Sequence, residues 1–195
     1  MAGINGGLEW HFPFWTEEME EYVFRQLRLA DTILAGRVTY QKMAAYWPSA
    51  TRDDFSDMMN NYEKIVFSTS MTMAAWRNTR IIAGNIGDEV SRLKQQGGRD
   101  IIIYGSASIV QALGRLDLID EYHIWVHPVV IGSGLRLFKS RGRRLQLSLL
   151  KTKIFCTGVI LLYYQPLNHS SNAGRSFHPP DQHFEHIYRL GSGNE

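Results

Sequence analysis

A chain of 195 residues is long enough for one domain with a sizeable core plus a tail. Apolar residues make up 44% and charged residues 21%, an ordinary globular composition, and a net charge of +2 without a basic stripe gives no sign of nucleic-acid binding. The single cysteine, Cys156, rules out an intramolecular disulfide and fits a reducing compartment.

The opening residues show neither the basic nor the apolar region of a signal peptide. The longest apolar run, Gly158 to Tyr164, is strand length and far short of the ~20 residues that span a bilayer. A soluble, cytoplasmic chain is expected. From Met1 to Trp15 glycines and aromatics follow without periodicity and read as a loop. Thr16 then offers an N-cap, Glu17 and Glu18 suit the helix dipole, and Met19, Tyr22, Val23, Leu27 and Ala30 form one apolar face, so a helix is expected over Glu17–Leu29. A buried strand, Thr32–Ala35, closes at Gly36. Helices at Val38–Tyr46 and Arg52–Asn61 follow, the first stopped by Pro48, and then strands at Lys64–Phe67 and Thr79–Ala83. A helix over Asp88–Gln96 ends at Gly97-Gly98, before a strand at Asp100–Tyr104 and a helix at Ala107–Leu113. This alternation predicts a largely parallel sheet covered by helices.

The remainder changes character. Lys139, Arg141, Arg143 and Arg144 read as a solvated turn before a strand-like segment. Strands are expected at Glu121–Ile131, Leu145–Phe155 and Val159–Tyr164, the last two too close in sequence to be anything but antiparallel. The expected architecture is an α/β domain over residues 1–166 whose mostly parallel sheet carries an antiparallel C-terminal edge. Residues 167–195, rich in Ser, Asn, Gly and Pro and holding four of the seven histidines, read as a disordered tail.

Three strand ends run into small or hydroxyl residues. At Ala35-Gly-Arg-Val-Thr39 a glycine permits close backbone approach, a helix start presents free N–H groups, Thr39 adds a hydroxyl, and Arg37 could fork onto a phosphate. The plain alternative is a tight turn with a surface arginine. Ser68-Thr69-Ser70 could meet a ribose or simply close a turn. Tyr104-Gly-Ser-Ala-Ser-Ile109 has the shape of a pyrophosphate cradle, although it lacks the Gly-x-Gly-x-x-Gly fingerprint. In an open α/β sheet, ligands sit beyond the carboxyl ends of the strands, so the three can converge on one extended anion, and a dinucleotide is the natural guest.

The order and spacing of Ala35-Gly-Arg-Val-Thr-Tyr40, Ala45-Tyr-Trp-Pro48, Lys64-Ile-Val-Phe-Ser-Thr69, Ile103-Tyr-Gly-Ser-Ala-Ser108 and His127-Pro-Val-Val-Ile-Gly-Ser-Gly134 followed by Leu137-Phe138 resembles the dihydrofolate-reductase-like proteins. The resemblance is greatest to the C-terminal reductase domain of the riboflavin-biosynthesis deaminase/reductase. It implies a three-layer fold and NADPH as cofactor. Gly36, Arg37 and Thr39 would hold the adenosine-side phosphates, with Arg37 near the 2′-phosphate. Ser68 and Thr69 would lie beside the adenine ribose, and Gly105, Ser106, Ala107 and Ser108 would cradle the pyrophosphate. The implied reaction is hydride transfer to a small heterocycle, the nearest named activity being reduction of 5-amino-6-(5-phosphoribosylamino)uracil, and a homodimer is expected. Family members begin with a strand lying between those corresponding to Asp100–Tyr104 and Glu121–Val130. That strand is missing here, so those two strands should expose edges or pair directly. The alternative function is therefore a truncated, catalytically silent module that binds a dinucleotide or dimerises.

Glu17 is the candidate proton donor, with Glu20 beside it. The alternative is that Glu17 and Glu18 serve the helix dipole while Glu20 and Glu21 form its wet face. Trp10, His11, Phe12, Phe14 and Trp15 could stack over a heteroaromatic substrate or plug the sheet. His123 and His127 could share one strand face and read as structural rather than metal-binding, and His183 and His186 lie in the tail without a scaffold. Cys156 is expected to pack as a small apolar residue.

Overall fold

The computed structural model describes residues 7–104, 106–138 and 144–167. The expectations for Met1–Gly6, Gly105, Lys139, Arg141, Arg143 and the tail from Asn168 lie outside them.

The first half of the chain builds a parallel sheet. Its strands are β1 (Ala30–Gly36), β2 (Glu63–Phe67), β3 (Thr79–Ile82) and β4 (Asp100–Ile103), in the order β3-β2-β1-β4, every pair parallel. β1 is central and almost wholly buried, as its apolar run predicts for a strand covered on both faces. Alternation along β1 sends Ile33 and Ala35 to one face and Leu34 to the other. Ile33 and Ala35 pack with Tyr40 of α2 (Arg37–Tyr46) and Met59 of α3 (Asp54–Asn61). Leu34 packs with Val90 and Leu93 of α4 (Ile86–Lys94) and with Ile109 and Leu113 of α5 (Ala107–Arg115). The result is a helix–sheet–helix sandwich with the expected three layers.

The C-terminal strands β5 (Tyr122–Val126), β6 (Leu147–Ile154) and β7 (Ile160–Pro166) form a second, antiparallel sheet in the order β5-β7-β6. Of the two outcomes the sequence leaves open for β4 and β5, exposed edges or direct pairing, the first is found. Among the described residues β4 pairs only with β1 and β5 only with β7, so the two sheets present unpaired edges instead of joining. Helix α1 (Glu17–Leu27) bridges them: its Leu27 belongs to the core of the parallel sheet, while Met19 and Tyr22 pack on Phe155, Val159, Leu161 and Tyr163 of the antiparallel one. No described helix is long and apolar enough to cross a membrane.

Boundaries moved where local hydrogen bonding outweighed the apolar pattern. The opening loop contains a 3-10 turn over Glu9–Phe14. α3 starts at Asp54 rather than Arg52, because Asp53 caps it: the Asp53 carboxylate accepts from the Ser56 N–H at 2.7 Å, and the Ser56 hydroxyl accepts from the Asp53 N–H at 3.0 Å. α4 starts two residues before Asp88, at Ile86, where the Asn85 side chain accepts from the Gly87 N–H at 2.9 Å. β5 stops at Val126, five residues short of Ile131, as Pro128 has no N–H to give a ladder. Cys156, expected inside, is free and exposed, because it falls in the tight β6–β7 turn where Gly158 takes φ +79°.

Sequence patterning also missed a buried polar cluster. Lys64 on β2 is only 1% exposed, and its ammonium donates to the carbonyls of Met59 (3.2 Å) and Asn60 (2.8 Å) at the end of α3 while lying 4.3 Å from the Trp76 ring centroid. Trp76 arrives from the β2–β3 connection; its backbone N–H donates to the Tyr40 hydroxyl at 3.0 Å and its indole N–H to the Asn60 side chain at 2.6 Å. The ammonium thus neutralises the negative end of a helix from inside the core.

Candidate functional site

Because β1, β2 and β4 run parallel, their carboxyl ends open on the same edge of the sheet. The turns after β1 and β4 are in contact: the Gly36 N–H donates to the Ser106 hydroxyl at 2.8 Å. A Cβ on Gly36 would stand 2.7 Å from that hydroxyl oxygen and 3.4 Å from the Ser108 hydroxyl, so only glycine lets the turns come this close. Helices α2 and α5 start at this contact, and neither has a side-chain cap: Gly36 has none to offer, and the Ser106 hydroxyl is taken by Gly36. Two helix N-termini with free first-turn N–H groups therefore lie side by side, which is a donor set suited to an anion with several phosphate oxygens. Ser106 takes the left-handed conformation, φ +61°, which a non-glycine residue keeps only where its surroundings hold it.

The residues singled out in the sequence sort as follows. Gly36, Arg37, Thr39, Ser68, Thr69, Ser106, Ala107 and Ser108 all border one large open cleft of about 2630 Å³, well above the ~300–1,000 Å³ of an ordinary small-molecule pocket. The Arg37 guanidinium is exposed and held by Gln41 one turn on, at 3.2 Å, facing outward from the start of α2. Thr69 is exposed at the end of β2. The Ser68 hydroxyl accepts from the backbone N–H groups of Ser70 (3.2 Å) and Met71 (3.0 Å), so it closes its own turn. Glu17 is exposed in the first turn of α1, where its charge suits the helix N-terminus, and does not border the cleft; Glu20 does. The neighbouring Glu18 is paired with Lys153 at 2.7 Å, and that hydrogen bond holds its carboxyl below the usual range.

The aromatic opening segment divides between the two roles open to it. Phe14 packs against the core beneath the antiparallel sheet, and His11, Phe12 and Trp15 stand at the cleft. Trp10 and Phe14 pack edge-on to His127 with ring centroids 5.0 and 5.8 Å away, and His11 lies 6.1 Å from it. Both His127 ring nitrogens are shut off from solvent without a well-formed hydrogen bond, and burial, reinforced by His11, lowers its pKa. Burial thus favours the neutral ring of His127, which meets the cleft as an aromatic wall. His123 instead hydrogen-bonds Glu121 at 3.0 Å and lies against Tyr163, the rings tilted by 57° with centroids 4.3 Å apart. Tyr104, which the sequence marks only as the first residue of the cradle-like turn, borders the same cleft with a buried hydroxyl that has no partner among the described residues and whose pKa burial raises. A strand-end tyrosine just before a cradle-shaped turn was the available signal. No cluster of metal-ligating side chains occurs among the described residues.

The model of the family described as "RibD C-terminal domain" matches residues 2–161. The chain belongs to the RibD C-terminal domain family. Among curated proteins it is 33% identical over 168 residues to YyaP, an uncharacterised protein of Bacillus subtilis (strain 168), with 84% of this chain and 87% of YyaP covered. A protein of Shewanella sp. PV-4 ascribed to riboflavin biosynthesis has the same fold, with a TM-score of 0.71, 20% identity, and 85% and 91% of the two chains covered. Dihydrofolate reductase of Enterococcus faecalis, solved with NADP(H) and RAB-propyl, superposes with a TM-score of 0.54 at 13% identity, covering 85% and 89%. The fold is dihydrofolate-reductase-like, as the spaced motifs implied.

Proposed function

We propose that this RibD C-terminal domain protein is an NADPH-dependent reductase of a small heterocycle, with 5-amino-6-(5-phosphoribosylamino)uracil the nearest named substrate. The observation that carries the reading is the Gly36–Ser106 contact, which brings two uncapped helix starts together at the mouth of one cleft. Bound there, NADPH would supply a hydride. The N–H groups at the start of α5, around Ala107 and Ser108, would hold the pyrophosphate; those at the start of α2, with the Thr39 hydroxyl and the Arg37 guanidinium, would hold the phosphate on the adenosine side. Thr69 is free to meet the adenine ribose. His11, Phe12, Trp15 and neutral His127 would flank a planar heterocycle and exclude water from it. Family membership and the riboflavin-biosynthesis relative support the substrate class.

The test is loss of NADPH absorbance with a ribosylamino-pyrimidine or a pterin as acceptor. Turnover above the rate without acceptor is expected, and none with any such acceptor would overturn the reading. A second reading, a dinucleotide-binding module without turnover, is favoured by the unpaired edges of β4 and β5, which leave the cleft wide. Saturable NADPH binding without oxidation would select it. In either case Arg37→Ala should weaken NADPH binding about 10- to 100-fold and leave NADH binding nearly unchanged, since only NADPH carries a 2′-phosphate for the guanidinium fork. Fluorescence titration of both cofactors against both proteins checks this, and an equal loss for the two would remove Arg37 from its assigned place.

A further inference from the structure

The face of the parallel sheet that carries α2 and α3 holds a polar atom that the fold does not use. Alternation along β4, continued past its last residue, puts Ile102 and Tyr104 on the side where Ile33, Ala35 and Tyr40 form a core, and both pack against that core. The Leu34–Ile103 pairing carries Tyr104 to the level of Ala35, one residue short of the turn where Gly36 meets Ser106. Its hydroxyl is shut off from solvent and has no hydrogen-bond partner among the described residues. The neighbouring phenol of Tyr62 is already committed, its hydroxyl donating to the Leu27 carbonyl at 3.2 Å. Burial, with Tyr62 adding repulsion, raises the Tyr104 pKa well above its ordinary 10.0, so the group keeps its proton and remains a donor. A phenylalanine would fill the same space and strand no polar atom, so the fold itself gains nothing from this oxygen.

Tyr104 borders the cleft together with Met43, Trp47 and Phe55 of the same cluster, apolar walls of the kind that hold a planar ring. An acceptor atom reaches the hydroxyl only if neighbouring side chains yield. Met43, Met58 and Met71, all partly buried in that cluster, are unbranched and adapt at small cost. Glu17 does not border the cleft and leaves the place beside the acceptor open. We propose that the Tyr104 hydroxyl is the hydrogen-bond donor to the reducible group of the acceptor, a ring carbonyl oxygen or an imine nitrogen of an uncharged heterocycle. This rests on the reductase reading. Hydride addition to carbon moves the π pair of the C=O or C=N bond onto the heteroatom, and a donor fixed there stabilises the charge as it forms. The proton that settles on that atom comes from water, because ionising a buried phenol is costly.

Tyr104→Phe tests this without depending on turnover. With NADP+ present, pterin, whose carbonyl oxygen and imine nitrogens accept hydrogen bonds, should bind the wild type and quench on titration. The substitution should weaken that binding about tenfold while NADPH affinity stays within about twofold. Urea denaturation of the free protein should show Tyr104→Phe at least as stable as the wild type, which a hydroxyl with a structural role would not allow. With an acceptor that turns over, kcat should fall about 100-fold, the loss that follows removal of one such donor. Equal pterin affinity in the two proteins, no pterin binding by the wild type, a matching loss of NADPH affinity or a drop in stability would each overturn the proposal. Pterin binding that depends on Tyr104 in a wild type that never oxidises NADPH would instead sink the reductase reading alone, so the two failures are told apart.

Discussion

Gly36→Val should abolish measurable NADPH binding while leaving the domain folded. The first side-chain carbon would stand 2.7 Å from the Ser106 hydroxyl oxygen, and valine adds two more carbons in the same crowded space. The turn after β1 must then move away from the turn after β4, and the helix starts that meet there separate. Two sets of N–H donors that share one anion lose their joint geometry with a shift of about an ångström, which is why the expected loss is large, at least 100-fold or about 2.7 kcal/mol. Gly36→Ala should do the same in smaller measure, about tenfold. In a Ser106→Ala background the obstructing oxygen is gone, so adding Gly36→Ala there should cost little more. Titration of the four proteins with NADPH forms a double-mutant cycle, and additive losses would show that the two turns act separately.

Lys64→Ala should destabilise the fold by about 3 kcal/mol, one of the larger effects available to a residue outside the cleft. It removes a buried four-carbon stem and strips two helix-end carbonyls of their donor. Lys64→Met, which refills the space, should cost about half as much. The pH dependence separates charge from packing. Burial, with Arg77 adding repulsion, pushes the Lys64 pKa down to about 8 from its ordinary 10.5. Between these values the unfolded chain binds a proton that the folded chain does not, so the pH-dependent part of this residue's contribution to stability is absent below pH 8, grows as pH rises and is complete above 10.5, on top of the packing and hydrogen bonding that Lys64→Ala removes. The wild type should therefore gain on Lys64→Met across that window by at most about 3 kcal/mol. Urea denaturation of both proteins at pH 7.5, 9 and 10.5 checks the sign, and a gap that narrows with rising pH would contradict the assignment.

The legible parts of this chain were those written in local chemistry. Met19, Tyr22, Val23 and Leu27 fall on one helical face, and Thr16 caps it with its side chain accepting from the Met19 N–H at 3.4 Å. The unbroken apolar run of β1 marks a strand buried on both faces, and the small residues after β1 and β4 mark turns at the carboxyl end of a parallel sheet. What sequence could not carry was distance. The Ser106 hydroxyl meets a backbone N–H seventy positions away, at Gly36, and that bond converts two plausible turns into one site. Trp10 finds His127, and Trp76 finds Lys64, only through the fold. Lys64 begins an expected strand, and nothing local to it shows that α3 brings its carbonyls over it. Ser68 looked like a ligand, yet its oxygen accepts two N–H groups of its own turn. Cys156 was misplaced because composition favours a buried thiol, whereas the β6–β7 turn leaves it in water. The division into two sheets depended on whether β4 and β5 pair, which no local pattern decides.

The reading rests on one guest being held at once by the turns around Gly36 and Ser106. Amide-resolved NMR during an NADPH titration tests that most directly. The backbone amides of Arg37, Val38 and Thr39 and those of Ala107 and Ser108 should shift together, along one binding curve with a single dissociation constant. Movement of only one set, two curves with different constants, or no shift at millimolar NADPH would contradict it.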